Sequence, residues 1–137
     1  MTIEIKKYNP VTDYQPLLNI IKAEGEEWKD YVGAQYEGAL KQSITYVAYA
    51  NSTLCGYSRS MNDCGLYLWV IDLLVAPAFR GHAIGRQLME CLLVDFPNQD
   101  AYVMSDVDEY YKKLGYTKEG SIFKVGAGQG HSSANKP

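Results

Sequence analysis

Cysteine, histidine, positive charge and long apolar runs are all scarce in this sequence. The three cysteines, Cys55, Cys64 and Cys91, are odd in number and lack the spacing of a secreted disulfide framework. The two histidines, His82 and His131, do not combine with them into a ligand pattern, so no metal is expected. The longest apolar stretch, residues 66–79, is interrupted by Asp72 and Pro77 and is too short to span a bilayer. The first six residues lack the apolar core of a signal peptide. A soluble, cytoplasmic protein with no membrane partner is the expectation. Lysine and arginine number 13 against 16 acidic residues, for a formal net charge of −3. Broad nucleic-acid binding needs a basic face, so no nucleic-acid partner is expected. The P-loop pattern G-x-x-x-x-G-K-[ST] is missing, and no G-x-G-x-x-G follows a strand, which excludes two common nucleotide-binding loops.

What remains is an ordinary globular balance, with 47% hydrophobic and 21% charged residues over 137 positions, enough for one domain with a real core. Tyrosine is abundant, with 12 copies, and its apolar body and polar tip suit the lining of a cleft.

Alternation at Ile3, Glu4, Ile5 and Lys6 reads as a strand that ends at Asn9-Pro10. Thr12 or Asp13 is placed to cap a helix burying Leu17, Leu18, Ile20 and Ile21, and a second helical stripe runs from Trp28 through Tyr31, Val32 and Tyr36 to Leu40. Residues 45–50 and 54–60 read as strands joined at Asn51-Ser52-Thr53. A second turn at Met61-Asn62-Asp63 leads to residues 66–75, apolar on both faces like a central strand and stopped by Pro77. Ile84, Leu88, Met89, Leu92, Leu93 and Phe96 form a helical stripe ended by Pro97. A short strand at 101–104 and a helix bearing Val107, Tyr110, Tyr111 and Leu114, closed by Gly115, lead to a last strand at 117–125. The order β-α-α-β-β-β-α-β-α-β implies a mixed α/β sheet in one domain, residues 1–125. The Gly/Ser/Asn-rich residues 126–137 read as a disordered tail.

The informative segment is Ile71 to Arg86: a buried strand, a turn, and then the start of a helix with Gly81 and Gly85. The first N–H groups of a helix have no internal partner, and the helix dipole adds partial positive charge there. Glycine lets backbone approach a phosphate closely, and Arg80, His82 and Arg86 add charge beside it. Each such contribution is only about 0.3–1 kcal/mol, so several must act together. A plainer alternative is a shaped turn with solvated arginines.

The run from Val75 to Leu88 resembles the acetyl-CoA signature of the GNAT (Gcn-related N-acetyltransferase) superfamily, Q/R-x-x-G-x-G/A, with Arg80 first and Gly85 last. Tyr110-Tyr111-Lys112-Lys113-Leu114-Gly115-Tyr116 resembles that superfamily's F-Y-x-K-L-G-F element. The resemblance covers roughly residues 3 to 125. It departs at Ala83, where glycine is usual, and at Ser105 and Asp106, where an asparagine often contacts the cofactor. It implies a GNAT-like (acyl-CoA N-acyltransferase) fold with a mostly antiparallel central sheet flanked by helices. It also implies acetyl-CoA as cosubstrate. Leu73, Leu74 and Val75 would hold the pantetheine, and Arg80, Gly81, His82, Ala83, Ile84, Gly85 and Arg86 the pyrophosphate. The activity implied is acetyl transfer to a primary amine of a small molecule or peptide in a ternary complex, with a non-catalytic acetyl-CoA sensor as the alternative.

Two catalytic residues are expected. Tyr111 matches the superfamily's tyrosine and would protonate the leaving thiolate, although it shares a helical face with Tyr110 and Leu114 and also reads as core. Asp72 is a carboxylate inside an apolar strand, a costly placement without a partner, and resembles the aspartate that some aminoglycoside acetyltransferases carry there. It reads as a base or as a carboxylate satisfied by a neighbouring loop. Glu24, Glu26, Glu27 and Trp28 read as a border of the acceptor site or as a solvated face. Cys64 and Cys91 read as structural. Paired strands at the C-terminal edge would suit a homodimer.

Overall fold

The computed structural model describes residues 1–128, so the expected tail lies, past residue 128, outside the described residues. Strands β1 (Ile3–Lys7), β2 (Ile44–Ala50), β3 (Thr53–Asp63), β4 (Tyr67–Val75) and β5 (Ala101–Val103) form one sheet in the order β1-β2-β3-β4-β5. The first four pair antiparallel, and β4 pairs parallel with β5. A parallel neighbour needs a crossover, and α3 (Ile84–Asp95) supplies it. Helices α1 (Pro10–Lys22) and α2 (Ala34–Gln42) precede β2. The mixed, mostly antiparallel sheet flanked by helices is the expected fold class.

Each face of the sheet has its own core. On one face Ile84, Leu88 and Leu92 of α3 pack against Tyr46, Ala48, Cys55, Leu68 and Val70. On the other, Leu17 and Ile21 of α1 and Tyr36 and Leu40 of α2 pack against Val47, Leu54, Tyr57 and Leu74. These contacts follow much of the stripes read from sequence, but Leu93 of the α3 stripe is 41% exposed.

Local chemistry moved several boundaries. Asn9, not Thr12 or Asp13, caps α1: its side chain accepts from the Val11 N–H at 3.0 Å, and Pro10 takes the first helical position, where no N–H is needed. Asp13 instead sits fully buried one turn in, accepting from the Asn9 N–H at 2.7 Å and the Tyr49 hydroxyl at 2.5 Å. The stripe from Trp28 to Leu40 is not one helix. Residues Gly25–Tyr31 form a 3₁₀ segment with non-helical dihedrals at Trp28, and α2 starts only at Ala34. The β2–β3 hairpin turns on Asn51 and Ser52, both with positive φ, 49° and 74°. The next turn lies at Cys64 and Gly65 rather than Met61-Asn62-Asp63, because β3 runs on to Asp63. Cys64 is therefore an exposed turn residue and not part of the core.

Residues Met1–Met104 make one compact unit, and the chain from Ser105 makes a second. In the second, α4 (Asp108–Lys113) ends as expected at Gly115, whose φ is +87°. The Gly115 N–H bonds to Lys112 and the Tyr116 N–H reaches back to Tyr111, which satisfies two terminal carbonyls. No strand forms over residues 117–125. Ile122, Phe123 and Val125 stay 67%, 87% and 82% exposed. Strand propensity expresses burial against neighbours, and here no neighbour covers these side chains. The strand pair on which a homodimer was expected is therefore not formed among the described residues.

Leu88 is fully buried in the α3 core. Leu88→Ala should cost about 2–5 kcal/mol, read as a lowered denaturant midpoint with an unchanged slope.

Candidate active site at the β4–β5 divergence

β5 pairs with β4 only at Leu68, Trp69 and Val70, with one more bond from the Met104 N–H to the Val70 carbonyl at 3.1 Å. β4 then continues five residues, Ile71 to Val75, with no β5 partner. A bulge coincides with the divergence, since Arg59 faces Asp72 and Ser60 faces Val70, leaving Ile71 extra. The bulge lies upstream of the expected Leu73-Leu74-Val75. It reverses the side-chain alternation. Leu68 and Val70 enter the α3 core and Leu73 and Val75 pack against it, while Leu74 enters the opposite core and Asp72 bonds to Tyr36 there.

Ladder bonds alternate along an antiparallel pair. The Ala76 N–H bonds to the Cys55 carbonyl at 2.8 Å, so by register the main-chain groups of Leu74 and Asp72 also face β3. Those of Leu73 and Val75 face the open edge. The Val75 carbonyl is taken by Nε of Arg80 at 2.9 Å, which leaves the Leu73 N–H and C=O and the Val75 N–H on that edge. Of the three expected contacts, Leu73 and Val75 present edge groups, and Leu74 supports them from the core.

The strand leads through a 3₁₀ turn, Pro77–Phe79, to α3. No side chain caps α3, and its first internal bond runs from the Gln87 N–H to the Ala83 carbonyl at 3.0 Å. The N–H groups of Ile84, Gly85 and Arg86 precede that bond and form the free positive end of the helix. Gly81 and Ala83 both have positive φ, +87° and 59°. The usual glycine of the motif is thus explained by backbone conformation, which Ala83 adopts with strain. The Ala83, His82 and Arg86 side chains are exposed. Arg80 is less free than expected: besides Val75 it meets Glu24 at 3.3 Å, fastening the loop to the end of α1.

Asp72 is 8% exposed and is not an isolated carboxylate. Its Oδ2 accepts from Nε of Arg59 at 2.6 Å and from the Tyr36 hydroxyl at 2.6 Å. The Tyr36 and Tyr57 hydroxyls are 2.7 Å apart, and Arg59 also donates to the Ser43 hydroxyl at 3.2 Å. Burial, then the charge and hydrogen bond of Asp72, push the Tyr36 phenol far above its ordinary value. Burial acts against the charge on Arg59, and Asp72 together with Tyr36 more than reverses that effect. Oδ1 accepts no hydrogen bond from the described residues. Arg59, Tyr36 and Tyr57 were not singled out from sequence. A charge at Arg59 within a buried strand was the available signal, and only register reveals its partner.

Of the acidic stretch, only Glu24 reaches the loop, while Glu26 and Glu27 are exposed. Trp28 sets its edge on Tyr31 at 5.2 Å, and Tyr31 lies 4.9 Å from Tyr36. In the second unit Tyr111 contacts the rings of Tyr110 and Tyr116 at 5.1 and 6.3 Å. Burial, followed by Tyr110, Asp106 and Tyr116, pushes its phenol up, so it stays protonated at neutral pH. A separate cavity of about 490 Å³, lined in part by Lys7, Tyr46, Asp95 and Phe96, opens at the other end of β2 and includes none of the motif residues. Among the described residues no group of three or more His, Cys, Asp or Glu is arranged to hold a metal, and no helix is long and apolar enough to cross a membrane.

A left-handed alanine costs about 1–2 kcal/mol, against about 0.4–1 kcal/mol for the extra unfolded freedom of glycine. Ala83→Gly should therefore stabilise the protein by about 0.5–1 kcal/mol, measured by denaturant unfolding.

Residues 41–118 match the family model for the acetyltransferase (GNAT) domain. The chain is 29% identical over 75 residues to the uncharacterized N-acetyltransferase ycf52 of Pyropia yezoensis, and 25% identical over 75 residues to that of Porphyra purpurea. Those matches cover 51% of this chain and 43% of each relative, less than half of the relatives' length. A GNAT family acetyltransferase of Streptococcus pneumoniae superposes with a TM-score of 0.71 at 23% identity, covering 90% of this chain and 98% of that one. The PaiA N-acetyltransferase of Thermoplasma acidophilum, solved in complex with coenzyme A, superposes with a TM-score of 0.72 at 16% identity, covering 89% and 94%. The family match spans more than half of the chain, and the protein belongs to the GNAT acetyltransferase domain family.

Proposed function

We propose that the protein is an acetyl-CoA-dependent N-acetyltransferase acting on a primary amine of a small molecule or peptide within a ternary complex. The observation that carries the reading is the unpaired edge of β4 at Leu73 and Val75, lying just before an uncapped α3 N-terminus. The fit to acetyl-CoA rests on these features together. Edge amides and a carbonyl match the amide groups of a pantetheine arm, and free helix donors match a diphosphate. His82 and Arg86 stand exposed beside those donors. Bound there, acetyl-CoA supplies an activated acyl carbon. Dependence on it fits a cytoplasmic setting.

The residues of the chain have three tasks. Edge N–H groups polarise the acyl carbonyl as negative charge develops on its oxygen. Oδ1 of Asp72, held by the Arg59 and Tyr36 bonds on Oδ2, receives the acceptor ammonium and draws its proton towards water. At a lysine-like pKa that deprotonation costs about 4.6 kcal/mol at pH 7, so placement of a carboxylate matters. The amine nitrogen then bonds to the acyl carbon as the carbon–sulfur bond breaks, and the second proton lost by nitrogen returns through water to the group that protonates the thiolate. Tyr111 provides the proton for the departing thiolate, a role that rests on its motif position alone.

Free-thiol release from acetyl-CoA should depend on protein and on an amine from a panel of polyamines, aminoglycosides, amino acids and peptides. Tyr111→Phe and Asp72→Asn should each lower kcat by about 10²–10⁴, leaving the Kd for CoA unchanged. Wild-type rates in both variants would remove these two residues from the mechanism. Absence of thermal stabilisation by saturating acetyl-CoA would sink the whole reading.

A further inference from the structure

α1 and α2 cover β2, β3 and the end of β4 at Leu74, but within residues Met1–Met104 no helix lies over the start of β4 on that face. Three rings stand there. Tyr67 and Trp69 stack at 5.4 Å with 25° between planes, and Tyr102 meets Trp69 at 5.4 Å and Tyr67 at 5.6 Å. Tyr67 is 45% exposed, and Met61, opposite Trp69, is 52% exposed. Core packing does not account for this group, since Leu68 and Val70 point the other way into the α3 core.

Because of the bulge at Ile71, Trp69 and Asp72 lie on the same face of β4. Register sets them opposite Met61 and Arg59, two residues of β3 apart, and so roughly 7 Å from each other. Near the rings the chain carries acidic residues, while Asp72 farther along is paired with Arg59. Residues 60–79 and 87–104 contain no lysine or arginine, while Asp63 pairs opposite Tyr67 and Asp100 immediately precedes β5. Ring faces carry negative potential and attract cations, and acidic neighbours reinforce that attraction.

We propose that the Tyr67–Trp69–Tyr102 platform is an acceptor subsite for a second positive group of the substrate. The acceptor is then a diamine whose other nitrogen lies about 7 Å from the one that reacts at Asp72. This rests on the acetyl-transfer reading for the identity of the reacting amine, while binding at the platform is measurable without turnover.

The test is calorimetric binding to the full chain saturated with CoA, comparing terminal diaminopentane with aminopentanol of the same length. Wild type should bind the diamine about tenfold tighter, and Trp69→Leu should bring the two within about twofold while CoA affinity and Tm hold. Asp63→Asn with Asp100→Asn, remote from packing, should reduce the preference by roughly threefold and weaken its salt dependence. No preference in wild type would overturn the proposal, as would a full preference in a folded Trp69→Leu. If that variant does not fold, an unchanged preference in the double asparagine variant overturns it instead. Diamine preference without thiol release from any amine would leave the subsite standing and sink acetyl transfer.

Discussion

A strand that loses one neighbour half-way along its length governs this molecule. Main-chain N–H and C=O groups must be paired by protein, water or ligand. β4 is bonded on both sides as far as Val70 and on one side beyond it. Water satisfies the open edge at little cost, and a ligand carrying amides satisfies it with far more specificity. The bulge at Ile71 belongs to the same event, because it turns Leu73 and Val75 towards α3 and leaves Asp72 facing α2. The backbone edge and the carboxylate thus sit on one short stretch of strand.

The second consequence concerns charge. Arg59 and Asp72 are 14% and 8% exposed in their side chains, and taking such a pair out of water costs about as much as its attraction returns. The pair is therefore better understood as holding a geometry than as adding stability. Arg59 and Tyr36 occupy one oxygen of Asp72 and fix the direction of the other. Tyr57 and Ser43 extend the network into both neighbouring elements, so the orientation is determined from β3 and α2 together. The loop is fastened in a similar way by Arg80, which spans the Val75 carbonyl and Glu24. Arg80 is the exposed member of that pair, so solvent screens it and its energetic worth is small.

Much of this was legible in one dimension. The stripe Ile84–Phe96 is helical at every apolar position up to Leu93, and the strand–turn–helix around Arg80 is where the motif placed it. Asp72 stood out because an apolar strand rarely carries a carboxylate without a partner. Turn positions were less legible. The Asn51-Ser52 turn was read correctly, whereas Cys64, with φ of 47°, is not a residue that signals the left-handed turn it makes with Gly65. At 117–125 the apolar content suggested a strand, but pairing depends on a neighbour that local sequence does not specify.

Sequence by itself determined the periodicities, the glycine-bearing start of α3 and the family motif, because each depends on residues a few positions apart along one chain. Tertiary structure decided which edge of β4 is free, which face Asp72 takes after the bulge, and that Arg59 and Tyr36 are its partners. Those depend on register between strands and on packing between residues 13 to 36 positions apart, where no local propensity reaches.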